Sequence, residues 1–380
     1  MKKSRGLAKR LKKERESLGL SKTDVAKEMG FSNYQTLSYI ENGSREVKAW
    51  ELFKLAKIYG RSPEHFYRTP QTEPLVLWRK EPGAKENPLL KRRFLELCKR
   101  YQRLLELTEE EDSEPELALS VPSKAQLLKD PLEYSTRLAE DYRRLLNLGG
   151  SPALSLVEVL ESHAGVKVIF LEMGDAGSGA STVDGFGKAI LINSSDAPWR
   201  RNYDLAHELF HILTWDLISP KAHFSEAGKP PVEKWADAFA SVLLLPEREM
   251  KAEFSKRVQN KKISYLDAVE MARDFGVSTE ALLWRLANLR VLRRQKVQRA
   301  LEEGEIKDTD RKRRRSDWDT ERPYLSKRYV TLAIKAFQLG KLSKAKLAEY
   351  LDVPFSEVSS FMRRRGFDEE EDYSTEFGAT

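Results

Sequence analysis

Tyr203-Asp204-Leu205-Ala206-His207-Glu208-Leu209-Phe210-His211-Ile212-Leu213 carries an H-E-x-x-H pattern inside an otherwise apolar run. Two histidines four apart predict a helix that sets both imidazoles on one face, one turn apart, within reach of a single ion. Glu208 is offset round that helix, where it can act as general base toward water at the ion. Leu205, Ala206, Ile212 and Leu213 make the flanks apolar, so the helix is expected to be buried. Polar side chains buried without partners are costly, and a metal ion supplies the partner.

A catalytic zinc takes three protein ligands and keeps one position open. Downstream, Val232-Glu233-Lys234-Trp235-Ala236-Asp237-Ala238-Phe239-Ala240 reads as a second helix, again with two carboxylates four apart. Glu233 is the candidate third ligand. Asp237 is the candidate acceptor for the second ring nitrogen of a bound histidine. His223 and Glu226, on the loop between the helices, are rival ligands that no rigid element fixes. Ala236, Ala238 and Ala240 would let the two helices approach closely. Tyr203 stands beside the motif as a candidate oxyanion donor.

Upstream the period changes. Val166-Lys167-Val168-Ile169-Phe170-Leu171 and Ala189-Ile190-Leu191-Ile192-Asn193 are short β-branched runs that read as strands, with a glycine-rich turn between them. The second run is expected to offer its edge to an extended substrate segment. Elsewhere the pattern is helical. Residues 68–90 contain four prolines and read as a linker, and the charged stretch Asp308–Arg322 as another.

The first seventy residues hold sixteen Lys/Arg against eight Asp/Glu, so much of the formal charge of +7 lies there. That balance favours a polyanionic partner. Leu7, Leu11 and Leu18 mark a first helix. Ser21, with Asp24 three residues on, caps a short second one. Gly30 breaks it, and a third runs from about Asn33 to Glu41 before Asn42-Gly43. Helix, tight turn with glycine, helix is the layout of a helix-turn-helix. Lys341–Arg365 is a second, weaker candidate for the same layout, with a packing scaffold as the blander reading. No run is long and apolar enough for a membrane span. Met1–Arg5 lacks the apolar stretch of a secretory signal, and Cys98 is the lone cysteine, so a cytoplasmic setting is expected.

From Ile190 through His211, and from Glu233 to Pro246, the chain resembles the ImmA/IrrE family of metallo-endopeptidases, over about Leu145–Leu289. The resemblance implies a thermolysin-like core with His207, His211 and Glu233 as metal ligands and Glu208 as the catalytic base. It implies Zn²⁺, with Mn²⁺ or Fe²⁺ suited to the same donors, and a repressor or antitoxin-like protein as substrate. Phe210 stands where glycine is common in the family. Residues 7–67 resemble the Xre/Cro helix-turn-helix family, notably in Leu37-Ser38-Tyr39-Ile40-Glu41-Asn42-Gly43. By position, Asn33, Tyr34, Gln35 and Ser38 would face bases, and Lys22, Arg45 and Lys48 phosphates, of double-stranded DNA. Such domains usually act as homodimers.

The expected architecture is mainly α with a small β-sheet. A helix-turn-helix domain (1–70) leads through a helical connection (71–130) to an α+β, zincin-like core (131–255). A helical extension (256–305), a charged linker (306–325) and a C-terminal helical unit with an acidic tail (326–380) follow. The expected function is that of a DNA-binding metallo-endopeptidase that cleaves a partner regulator. The alternative is a transcription regulator, or a toxin–antitoxin component, whose metal domain senses or binds a partner without proteolysis.

Overall fold

The computed structural model describes residues 2–61, 63–66, 74–79, 87–110, 124–218, 231–258, 263–302, 304–313 and 323–367. His223, Glu226 and the acidic tail lie outside them. The chain divides into two units, Met1–Pro74 with Gly83–Leu97, and Leu75–Pro82 with Cys98–Thr380.

The first unit holds α1 (Lys2–Ser17), α2 (Lys22–Met29), α3 (Tyr34–Glu41) and α4 (Ala49–Ile58). Ser21 caps α2 by accepting from the Asp24 amide at 3.1 Å, and Gly30 stops it in the left-handed conformation, φ 78°. Asn33 caps α3 in the same manner. Leu11, Val25, Met29, Leu37, Ile40 and Leu55 close the core beneath them. At its edge Arg15 Nε donates to Glu41 at 2.6 Å, both side chains buried.

The second unit opens with a strand where the sequence suggested a linker: β1, Leu77–Arg79. Then come the later part of α5 (Pro88–Thr108), α6 (Lys124–Lys129), α7 (Pro131–Leu145) and α8 (Leu156–His163). The strands β2 (Lys167–Leu171), β3 (Gly179–Thr182) and β4 (Ala189–Asn193) follow. The sheet order is β1-β3-β4-β2, with β2 and β4 parallel and the other pairs antiparallel. β4 is therefore interior, hydrogen-bonded on both sides, and offers no free edge to a substrate. Its Ala189–Ile192 side chains are wholly buried, which is why the run is apolar without alternation.

The helices α9 (Pro198–Leu213) and α10 (Pro231–Leu244) stack beside the sheet, α9 against β3 and β4. Pro198 starts α9, its missing N–H being one that no helix could use. Leu205, Leu209 and Phe210 are fully buried, each worth roughly 1.5–3 kcal/mol of apolar burial. Ala236 and Ala240 on α10 are also fully buried, Ala238 only partly, and Phe210 packs on Phe239 with ring centroids 5.7 Å apart.

The remaining helices are α11 (Glu247–Arg257), α12 (Tyr265–Asp274), α13 (Thr279–Asn288), α14 (Arg294–Glu302) and α15 (Glu305–Arg313), then α16 (Lys327–Gln338), α17 (Lys344–Leu351) and α18 (Val358–Arg364). Residues 308–313, expected as linker, are thus helical: Ile306 anchors α15 against Ala268 and Val297.

Glu161 on α8 is buried, accepting from Tyr101 Oη at 3.2 Å and the Val168 amide at 3.4 Å. Burial lifts its carboxyl to about 7, although hydrogen bonds from Ser326 and Tyr101 pull the other way. The folded chain therefore keeps a proton that the unfolded chain releases near 4.5. The stability so held is full below that value and is lost as pH rises through about 7. Glu161→Gln should remove the loss, so the variant gains thermal stability relative to the parent between pH 5 and pH 8. Identical pH dependence of the two melting curves would show that Glu161 ionises in the fold at little cost.

Candidate metal centre

The motif occupies the buried middle of α9, where Asp204 through Ile212 are all shielded from solvent. His207, Glu208 and His211 each present a potential ligand atom within 4.8 Å of the others. The two rings meet at a centroid distance of 5.1 Å, as side chains one helical turn apart should. From α10, Glu233 reaches in: its Oε2 lies 3.2 Å from His207 Nε2 and its Oε1 3.5 Å from His211 Nε2. Asp237, one turn further along α10, accepts from His207 Nδ1 at 2.9 Å.

That last contact fixes the imidazole. A carboxylate can only accept, so Nδ1 carries the hydrogen. Nε2 faces a carboxylate oxygen of Glu233 at 3.2 Å. With a proton on Nε2 the ring is an imidazolium that donates to Glu233; without one, Nε2 and the carboxylate are two donor atoms that a cation between them would join. Neighbouring donor atoms of a tetrahedral ion with bonds of 2.0–2.1 Å lie about 3.3 Å apart. The donors are thus the right kind and spacing for a divalent metal.

Glu208 lies against β3 while keeping a carboxylate oxygen within 4.8 Å of the histidine ligand atoms. Its Oε1 is buried without a hydrogen-bond partner among the described residues. Gly179 lies so close that a Cβ there would stand 3.0 Å from Glu208 Cγ and 3.1 Å from its Oε1, so glycine is what permits the approach. Burial raises the Glu208 carboxyl to about 7, with His207 and Arg79 opposing. Burial and Arg79 depress His207, but Asp237, Glu233 and Glu208 outweigh them and the net shift is upward.

Two further participants carry no local signal in the sequence. Arg79 of β1 pairs closely with Asp204 Oδ1 and places its other nitrogen 3.6 Å from Asp237 Oδ1. Burial works against its charge, but Asp204, Glu208, Asp237 and Glu233 together raise its pKa. Asp204, one turn before His207, has its own carboxyl lifted to about 6 by burial, tempered by Arg79. Only the short apolar run Leu75–Trp78 hinted at a strand. Tyr203 donates to the Asp237 carbonyl at 3.0 Å. The hydroxyl is a strut between α9 and α10.

In the first unit, Tyr34 is half-exposed and Gln35 exposed at the start of α3. Asn33 is engaged as helix cap. Lys22 Nζ donates to Ser38 Oγ at 2.9 Å. Arg45 pairs with buried Glu51 at 2.8 Å, and the amide of exposed Lys48 also donates to Glu51 at 2.8 Å.

No curated protein matches the chain. Two family models do: residues 11–66 match one described as Helix-turn-helix, and residues 161–287 match a peptidase family described as IrrE N-terminal-like domain. The second match spans the sheet from β2 onward, the H-E-x-x-H helix and the whole of α10. The chain accordingly joins an Xre-type helix-turn-helix domain to an IrrE-like metallopeptidase-family domain, as a DNA-binding regulator does that carries such a domain.

Proposed function

We propose that the second unit is a metal-dependent endopeptidase that cleaves a regulatory protein, while the helix-turn-helix holds the chain on DNA. The observation that carries this reading is the convergence of His207 Nε2, His211 Nε2 and the Glu233 carboxylate, with Glu208 Oε1 close by and buried without a hydrogen-bond partner among the described residues. His207, His211 and Glu233 would hold the ion, for which zinc is our choice and manganese or iron(II) the alternatives. Such an ion, when bound, supplies Lewis acidity that polarises a scissile carbonyl and acidifies water.

The chain's own residues do the rest. Glu208 Oε1 takes a proton from the attacking water and returns it to the leaving amine. A carboxyl near neutrality is suited to both transfers. Asp237 holds His207 in the tautomer that exposes Nε2, and Arg79 with Asp204 holds Asp237 in turn. Glu208→Gln keeps the shape and loses the base. With a proteome-derived peptide library and zinc-loaded protein, new termini should appear with the parent and fall at least about a hundred-fold with the variant. Metal content should be equal in both. Equal cleavage by Glu208→Gln would contradict the assignment.

One observation favours the non-proteolytic alternative. β1 pairs with β3 in the register Leu77↔Ser181, Trp78↔Ala180 and Arg79↔Gly179, so the chain itself occupies the strand edge beside Glu208. Leu75 clamps the start of this pairing, donating to Asp184 at 3.0 Å and accepting from Thr182 at 2.6 Å. An extended substrate adding to β3 must displace it. Leu77 is buried, so Leu77→Asp should loosen β1 without altering the Arg79 side chain itself. Amide exchange over Gly179–Thr182 should accelerate and peptide cleavage should rise several-fold. Faster exchange with unchanged or reduced cleavage would make β1 part of the working site.

A further inference from the structure

The last three helices repeat the local geometry of the first three, although the family model for the helix-turn-helix matches only residues 11–66. Each set begins with a helix stopped by a left-handed glycine, Gly19 at φ 65° and Gly340 at φ 69°. Each continues with an eight-residue helix capped by serine. Ser21 accepts from the Asp24 amide at 3.1 Å, and Ser343 from the Lys346 amide at 3.2 Å. Val25, Ala26 and Met29 are buried beneath α2, and Leu347, Ala348 and Leu351, at the same spacing, beneath α17.

Both helices end on a left-handed residue, Gly30 at φ 78° and Asp352 at φ 54°. Both turns close through the next amide: Phe31 to the Ala26 carbonyl at 2.9 Å, Val353 to the Ala348 carbonyl at 3.1 Å. A shared cross-helix contact fixes the second helix. Lys22 Nζ donates to Ser38 Oγ at 2.9 Å, and Lys344 Nζ to Ser359 Oγ at 2.7 Å. The C-terminal turn is one residue shorter, so Val358 takes the buried place of Leu37.

What the repeated frame presents outward is basic. Residues 341–365 hold Lys341, Lys344, Lys346, Arg363, Arg364 and Arg365 against Glu349, Asp352 and Glu357, a balance of 6 − 3 = +3. Glu349 is engaged by Lys346 and Arg100, and Asp352 by Tyr324. Arg363, Arg364 and Arg365 are exposed and form no ion pair among the described residues. A helix C-terminus favours a cation or two. Three adjacent exposed arginines across that terminus are what a phosphate backbone accepts. At the other end Phe355 is 58% exposed, as Tyr34, the first residue of α3, is 51% exposed at the matching place.

We propose that α16–α18 form a second duplex-DNA-binding module, with α18 as the groove-facing helix and Arg363–Arg365 on the phosphates. The occupant is double-stranded DNA because both the frame and the charge match it. The proposal is independent of whether the metal centre cleaves anything.

The test uses the full chain with a photo-cross-linking amino acid at Ser360 and, in a separate protein, at Tyr34, each mixed with mixed-sequence duplexes. The Ser360 probe should cross-link to DNA. Arg363→Ala/Arg364→Ala/Arg365→Ala should abolish that cross-link without lowering the melting temperature. In the chain without probes, the same triple substitution should reduce the slope of log affinity against log salt by about 2 to 3, since each phosphate contact contributes about 0.9. A Ser360 probe that captures no DNA would overturn the proposal, whether or not the Tyr34 probe does. So would an unchanged salt slope in the triple variant. Cross-linking of Ser360 to protein alone would mark α18 as a protein-binding surface instead.

Discussion

His207 is held between two carboxylates, Asp237 at Nδ1 and Glu233 at Nε2, and the helices of the second unit that carry them are arranged around that ring. Asp237 commits Nδ1 of His207 to donation, which leaves Nε2 either to donate to Glu233 as an imidazolium or to meet a cation. The surrounding helices are fixed, because α9 is buried along its middle and α10 is tied to it through Phe239, Ala236 and the Tyr203 strut. Carboxylates and imidazoles packed this closely are a donor set that would suit a cation. Arg79 does not substitute for that cation: its charge is taken up by Asp204 and Asp237 at the outer side of the cluster.

The placement of Glu208 follows from the same packing. Offset round α9 from the two histidines, it is turned toward β3, and only a glycine at position 179 gives it room. Glu208 and β3 are thus brought together by one close approach. Because β1 already pairs with β3 there, the edge nearest Glu208 is filled by the chain's own residues. That edge is covered by a three-residue strand. Such a strand is short enough to open at modest cost.

Much of the site was legible in the sequence because its logic is local. Residues four apart on a helix share a face, which places His207 with His211 and Glu233 with Asp237 before any fold is known. β2 and β4 announced themselves by β-branched runs. β3 did not: Gly179-Ala180-Ser181-Thr182 is buried on both faces, so it neither alternates nor carries large apolar side chains. β1 and Arg79 were hidden for a different reason. Their partners lie more than a hundred residues away, and the prolines around them signal a linker. The position of β4 was misjudged because strand order is a property of the sheet and not of the run. The C-terminal module was visible as a pair of helices, but its identity in detail rests on the Lys344–Ser359 contact, which only the structure supplies.

Anomalous scattering from crystals of the zinc-supplemented full chain, collected on both sides of the zinc edge, addresses the metal assignment directly. The account predicts a single strong peak bonded to His207 Nε2, His211 Nε2 and the Glu233 carboxylate, with Glu208 outside bonding distance. No peak at that place, or a peak bonded to Glu208 in place of Glu233, would contradict it.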